Sequence, residues 1–164
     1  MQKTDWAAAA VRVGNAVLAA NAALLVFVEG LSYSTDLHQV AQHPIALAVA
    51  NRLVYSPHDY SWSQTAVSYN DLRNKLDAAW GFIVASNASA SIAAPLWLGE
   101  FGTDSSSSWW SWIRQYVLER ELSWSYWALD GEQRPGVEET FGIFEKDYTT
   151  IRHLWKLTDL QAMQ

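Results

Sequence analysis

The residues best suited to chemistry lie in Leu96–Thr103, read LWLGEFGT, where a single carboxylate, Glu100, stands beside Trp97, Leu98 and Phe101. A charge left unpaired in apolar surroundings is costly, so such a glutamate is expected at the mouth of a pocket. The structural alternative is a strand-terminal Glu paired to a Lys or Arg, since ion pairs of that kind also perturb carboxylates. If the stretch is one strand, parity puts Glu100 on the same side as Leu96 and Leu98. A second group follows Leu53–Ser56: in Pro57-His58-Asp59-Tyr60 the imidazole and the phenol are two residues apart, so they point the same way in an extended chain. Glu29 after Leu24–Val28, and Trp127 and Asp130 in and after Leu122–Leu129, complete a series of polar or aromatic residues at the ends of apolar runs. His38 and His43 read as loop or surface residues. With His58 and His153 they show no ligand spacing such as His-x-x-x-His, so no metal is expected.

Composition narrows the classes of function. The chain has 164 residues, half of them apolar and 17% charged, which suits one domain with a real core and excludes disorder. A formal charge of −6 and a pI near 5.1 argue against nucleic acid as a partner. Ten Trp and seven Tyr are spread along the chain, enough for a large aromatic core and for flat rings that stack on sugars. Cysteine is absent, which removes disulfides, thiolate nucleophiles and thiolate metal ligands. The apolar run Ala16–Val28 is too short to cross a bilayer and has the wrong flanks for a signal peptide, so no membrane association is expected. Asn87-Ala88-Ser89 is a glycosylation acceptor if the chain is secreted.

The elements that must position these groups follow from periodicity. Asp5–Ala20 predicts a helix capped by Asp5 and broken at Asn21, followed by a strand over Leu24–Val28. Pro44 forbids a helix across Ser32–Asn51, although a short helical turn over Ile45–Ala50 is possible. Leu53–Ser56 is the next strand. Asp71–Ala85 is a helix with an apolar stripe of Leu72, Leu76, Ala79, Trp80 and Ile83, preceded by a Ser68/Asp71 capping box. After the Asn87–Ala94 loop comes the strand that carries Glu100. A serine-capped helix follows, with Trp109, Trp112, Ile113, Tyr116 and Val117 on one face. Leu122–Leu129 is a strand, Asp130–Glu139 a polar loop, Gly142–Glu145 a short apolar piece, and Tyr148–Leu160 a closing helix capped by Asp147. Strands alternating with helices predict an α/β fold with right-handed crossovers and a parallel sheet, every strand covered on both faces. No Gly-x-Gly-x-x-Gly or Walker loop follows any strand, so neither a nucleotide nor another cofactor is expected. In a barrel of such units the functional groups gather at the carboxyl ends of the strands. Four strands make half of one.

Phe27-Val28-Glu29-Gly30, Leu53-Val54-Tyr55-Ser56-Pro57-His58-Asp59-Tyr60, Trp97-Leu98-Gly99-Glu100-Phe101-Gly102-Thr103 and Trp124-Ser125-Tyr126-Trp127-Ala128-Leu129 occur in that order. Together they resemble the second half of glycoside hydrolase family 5, the cellulase and endoglucanase family. The resemblance implies a (β/α)8 TIM-barrel type of which residues 1–164, the carboxyl-terminal half of the catalytic domain, supply the last four βα units. It implies that Glu100 is the catalytic nucleophile at the end of the seventh strand. Tyr60 would touch that nucleophile, His58 would line the sugar site, and Trp127 would be the aromatic platform after the eighth strand. The family's acid/base belongs to an Asn-Glu-Pro motif, and no Asn-Glu pair occurs in this chain. Glu29 is the best internal candidate for the second carboxylate, but the family motif places it outside the catalytic pair.

Three readings follow. The chain is part of a retaining β-glycosidase acting on β-linked glucan, an extracellular enzyme by resemblance, and inactive or nearly so by itself. Alternatively it is a noncatalytic remnant that binds sugar through Trp127, Tyr60 and Trp62, or a half-barrel that forms a homodimer. The expected partners are a β-glucan or oligosaccharide and either a missing amino-terminal half-barrel or a second copy.

Overall fold

A computed structural model of the chain describes residues 5–63 and 65–164. The chain falls into two compact units, one built from the chain up to Pro57 with Lys75–Trp97, the other from His58–Asn74 with Leu98–Gln164.

In the first unit, helix α1 (Trp6–Ala20) starts where the Asp5 carboxylate accepts the Ala8 N–H at 3.1 Å and stops at Asn21. Strand β1 (Val26–Glu29) pairs in parallel with β2 (Leu53–Ser56), in register Val26 to Leu53 through Glu29 to Ser56. Leu96 adds a parallel bridge to Tyr55. Between the strands, α2 (Leu31–Ser34) is a single left-handed turn rather than a true helix, since Ser32 and Tyr33 have φ of 52° and 60°. The turn predicted over Ile45–Ala50 does not form; the helical turn in this connection is a 3-10 helix at His38–Ala41. The Ile45 N–H is taken by the Tyr55 hydroxyl at 3.1 Å and the Ala48 N–H by the Asn15 side chain at 2.7 Å, which ties this connection to β2 and α1. The expectation that every strand is covered on both faces also fails at β1. Val28 is buried, whereas Leu24, Leu25 and Phe27 are exposed. Among the described residues β1 has one partner strand, β2, and α1 as its packing helix.

Helix α3 (Tyr69–Ala79) begins two residues before the predicted start and passes into a 3-10 turn at Gly81–Val84. Its stripe of Leu72, Leu76, Trp80 and Ile83 is buried as the spacing requires. The capping box is half formed. Ser68 Oγ accepts the Asp71 N–H at 3.2 Å, but the short Asp71 side chain accepts from Val67 instead of Ser68.

In the second unit, β3 (His58–Tyr60) lies parallel to β5 (Glu100–Gly102), which places His58 opposite Glu100, Asp59 opposite Phe101 and Tyr60 opposite Gly102. Leu96–Thr103 is therefore not one strand, because β4 (Trp97–Leu98) ends before Gly99 and β5 begins after it. Glu100 takes its place from its pairing with His58. Helix α4 (Ser108–Glu119) starts where Ser107 Oγ accepts the Trp110 N–H. Its buried face is Trp109, Trp110, Ile113, Tyr116 and Val117. Trp112, predicted inside, is only half-buried because it sits about 100° around the helix from Ile113, and Trp110 takes the core position. Phe101 stacks on Trp110 with centroids 5.8 Å apart and meets Trp124 and Tyr126 edge-on.

The last third departs most from the sequence expectation. Only Ser123–Trp124 of Leu122–Leu129 counts as strand, β6, although the Ser125 and Trp127 N–H groups still bond to the Leu98 and Phe101 carbonyls at 3.0 Å. The predicted polar loop contains a hairpin, β7 (Glu132–Arg134) and β8 (Val137–Glu138), turning at Gly136 with φ of 79°. Helix α5 runs over Leu154–Gln161, starting later than Tyr148. Asp147 caps a turn there, not a helix: its carboxylate takes the N–H groups of Thr149 and Thr150 at 2.9 and 2.8 Å, and Phe144 then bridges back to Ile151.

Candidate active site

Three of the predicted residues converge within the second unit. Glu100, its side chain 34% exposed, opens β5, and His58 and Tyr60 sit on the neighbouring β3. The Tyr60 hydroxyl donates to Glu100 Oε2 at 2.8 Å, and Nδ1 of the largely buried His58 lies 3.4 Å from the same oxygen. The alternation of an extended chain accounts for this. His58 and Tyr60 share one face of β3, while Asp59 points the other way, accepting the Trp109 indole N–H at 3.1 Å and the Ser63 hydroxyl at 3.2 Å. Asp59 thereby ties β3 to α4 and fixes the edge from which the imidazole and phenol project.

Aromatic rings hold the phenol from both sides. Tyr60 stacks on Trp62, centroids 5.4 Å apart at 12°, and on Phe141, 5.9 Å apart at 26°. Burial in this stack, and after it the hydrogen bond to Glu100, push the Tyr60 phenol well above its ordinary value, so it remains a donor. Trp62 itself is 61% exposed and offers its outer surface to solvent. Trp127 is 40% exposed and reaches the site through its backbone. Its N–H donates to the Phe101 carbonyl, and a Cβ on Gly102 would collide with the Trp127 carbonyl, so only glycine allows the two segments this approach. The indole N–H of Trp127 goes to Glu139 rather than to Glu100.

Glu139 and Phe141 were not singled out in the sequence. Glu139 lies in a polar tract with Glu138 beside it, and nothing in that tract tells which of the two turns inward. Glu29 belongs to the first unit, where its carbonyl accepts the Trp6 indole N–H at 2.9 Å. His38 is paired with Asp36 at 2.6 Å. Among the described residues no group of three or more His, Asp or Glu is arranged to hold a metal ion.

A partly exposed carboxylate held by a protonated phenol and an imidazole, with an exposed indole stacked on the phenol, has the parts of a nucleophile or general base. Comparison with known proteins gives the same family as the motifs. The family model "Cellulase (glycosyl hydrolase family 5)" matches residues 1–133. An endoglucanase from Paenibacillus polymyxa is 33% identical over 171 residues, an alignment covering 90% of this chain and 41% of that protein. Among solved structures, the catalytic domain of the major endoglucanase from Xanthomonas campestris pv. campestris superposes with a TM-score of 0.78 at 25% identity, over 99% of this chain and 51% of that one. Beta-glucanase SdGluc5_26A from Saccharophagus degradans, in complex with cellotetraose, superposes with a TM-score of 0.68 at 14% identity, over 100% of this chain and 49% of that one. This chain thus spans about half the length, or less, of the relatives it matches. These neighbours are TIM-barrel catalytic domains, and this chain has parallel strand pairs of its own, β1–β2 and β3–β5. The chain belongs to glycosyl hydrolase family 5, the cellulase family.

Proposed function

We propose that residues 1–164 are the carboxyl-terminal half of a retaining β-glucanase, the last four βα units of a (β/α)8 barrel, acting outside the cell on cellulose-type β-linked glucan. The observation that carries this is the 2.8 Å bond from Tyr60 to Glu100, with His58 Nδ1 3.4 Å from the same carboxylate oxygen. In this reading Glu100 attacks the anomeric carbon and the sugar–oxygen bond to the leaving group breaks. The Tyr60 hydroxyl orients the attacking carboxylate, His58 lines the sugar site, and the exposed faces of Trp127 and Trp62 stack under pyranose rings.

Retention needs a second carboxyl group about 5–5.5 Å from the first, to protonate the leaving group and then activate water. The family's Asn-Glu pair does not occur in this sequence, so we assign the acid/base to a segment outside it. General acid catalysis is typically worth 10²–10⁴-fold, and the 164-residue chain is therefore expected to turn over polymer very poorly. The test is an assay of the chain on a β-glucan and on an aryl cellobioside whose leaving group needs no proton. Activity confined to the aryl substrate and abolished in Glu100→Gln supports a lone nucleophile; efficient hydrolysis of the polymer overturns the half-site account. The exposure of Trp62 and Trp127 also favours a second reading, sugar binding without turnover, for which both substrates stay intact while cellotetraose still binds.

A further inference from the structure

Glu139 is a carboxylate only 9% exposed, and it is spoken for twice. Its Oε2 accepts the Trp127 indole N–H at 3.1 Å and its Oε1 accepts the Phe141 backbone N–H at 3.0 Å. Neighbouring Glu138 turns outward to an ion pair with Arg152 at 2.7 Å. A carboxylate is not buried without reason, because the desolvation of its charge must be offset by hydrogen bonds to each oxygen. Here both bonds go to groups that shape the site. Indole has one polar hydrogen, so engaging it fixes the rotation of the ring. The Trp127 backbone N–H is already held by the Phe101 carbonyl at 3.0 Å. Ring and backbone are therefore pinned independently, and 40% of the residue is left open. Phe141, the other group that Glu139 holds, stacks on Tyr60, the donor to Glu100. From behind, the fully buried Lys156 donates to the Phe141 and Gly142 carbonyls at 2.9 and 3.2 Å, keeping the same segment in place.

We infer that Glu139 is a positioning residue that sets the angle of the Trp127 ring as a sugar platform and, through Phe141, seats the Tyr60 ring beside Glu100. The inference rests on the reading of Trp127 as a sugar platform and extends it to a residue that touches no sugar. Burial is the main cause that raises the Tyr60 and Tyr126 phenols, and the nearby Glu139 adds to it in both. Glutamine is a poor substitute on stereochemical grounds. Its single amide oxygen can serve Trp127 or Phe141 but not both, and its NH2 then faces the other donor.

The experiment uses the full chain labelled with 5-fluorotryptophan, the Trp127 resonance being assigned as the one lost in Trp127→Phe, with calorimetric titration of cellotetraose in parallel. In Glu139→Gln the Trp127 resonance is expected to shift or broaden while the other tryptophan resonances keep their positions. Cellotetraose affinity is expected to fall by up to about tenfold, the cost of ordering a freed ring on binding. In a Trp127→Phe background, which has no indole N–H, Glu139→Gln should change affinity less than it does in the parent, the remainder reporting the route through Phe141 to Tyr60. An unmoved Trp127 resonance in Glu139→Gln overturns the proposal. So does a general movement of all the tryptophan resonances, which marks a packing role instead. Unchanged affinity in Glu139→Gln, together with lost affinity in Trp127→Ala, overturns the link to sugar binding. Unchanged affinity in Trp127→Ala removes the platform reading itself, while the fluorine resonance still decides whether Glu139 holds the ring.

Discussion

The Tyr60 hydroxyl donates to Glu100 Oε2 across 2.8 Å from the strand directly beside it, so the phenol is oriented by the β3–β5 register and not by a mobile loop. Replacing Tyr60 with Phe removes the donor and leaves the stacking with Trp62 and Phe141. A hydrogen bond to a charged group contributes about 1.5–3 kcal/mol to stability, so the thermal midpoint should fall by several degrees, and kcat/KM on an aryl cellobioside should fall by at least about tenfold because Glu100 loses the donor that orients it. The phenol also has a spectroscopic signature. Burial first, then Glu100, raise its ionisation above the ordinary value, so the native chain should show fewer phenolates than its tyrosine content predicts above about pH 10. In that range the unfolded chain loses a proton that the folded one keeps, so this group's contribution to stability declines as pH rises. A full complement of phenolates in the folded state would contradict the buried bond.

Helix α4 supplies a test of core packing. Trp110 is fully buried, stacks on Phe101, and donates its indole N–H to Asp159 at 2.8 Å. Truncating a buried tryptophan typically costs about 3–5 kcal/mol. Trp112, two positions on, is half-buried, and Trp112→Ala should cost well under half as much. Denaturant midpoints of the two variants would decide, and a larger loss at Trp112 would reverse the assignment of the buried face.

Lys156 gives the opposite pH trend to the tyrosines. Burial, followed by the Arg152 charge, brings its ammonium down to about 8 against 10.5 for an ordinary lysine. Between those values the unfolded chain binds the proton that the folded chain has released, so stability should rise with pH across this window, by at most about 1.4 kcal/mol per pH unit. Lys156→Met removes this rise. The substitution also removes the two bonds to the Phe141 and Gly142 carbonyls, so its cost relative to the parent should be greater at pH 10 than at pH 7. Urea titrations of both chains at the two pH values would show it; parallel stability curves would mean that Lys156 titrates normally.

Much of the fold and of the site was legible because it rests on short-range rules. The α1 cap at Asp5, the α3 stripe and the His58/Tyr60 pairing need only periodicity and parity, and the convergence of Glu100, His58 and Tyr60 agrees with the motif order. Where the chain returns on itself the rules run out. The β7–β8 hairpin and the Asp147 turn are built by side chains capturing backbone donors, as when Glu132 Oε1 accepts the Gly136 N–H at 2.9 Å. A linear reading sees only a polar tract there, and that tract hid Glu139. The Trp110/Trp112 exchange has another origin: a helix rich in tryptophan offers two registers for its apolar face, and tertiary contacts with Phe101 select one.

Exposed apolar side chains gather in α1 and the segment running through β1: Val13, Val17, Leu24, Leu25 and Phe27. Apolar surface collected in this way marks an interaction site or an aggregation hazard, and strand edges with unpaired backbone add to either. The half-barrel proposal and the homodimer alternative both require this region to be covered, the first by an amino-terminal half-barrel and the second by another copy. The chain alone should therefore associate with rising concentration in sedimentation, and Val13→Glu with Leu25→Lys should return it to a monomer without lowering its thermal midpoint, since neither side chain contributes to the buried core. Supplying an amino-terminal half-barrel in trans separates the two covers. If that half suppresses self-association and restores hydrolysis of β-glucan, the region is its docking face, and the double substitution should weaken both effects together. A parent chain that stays monomeric from micromolar to near-millimolar concentration would show that these side chains need no cover.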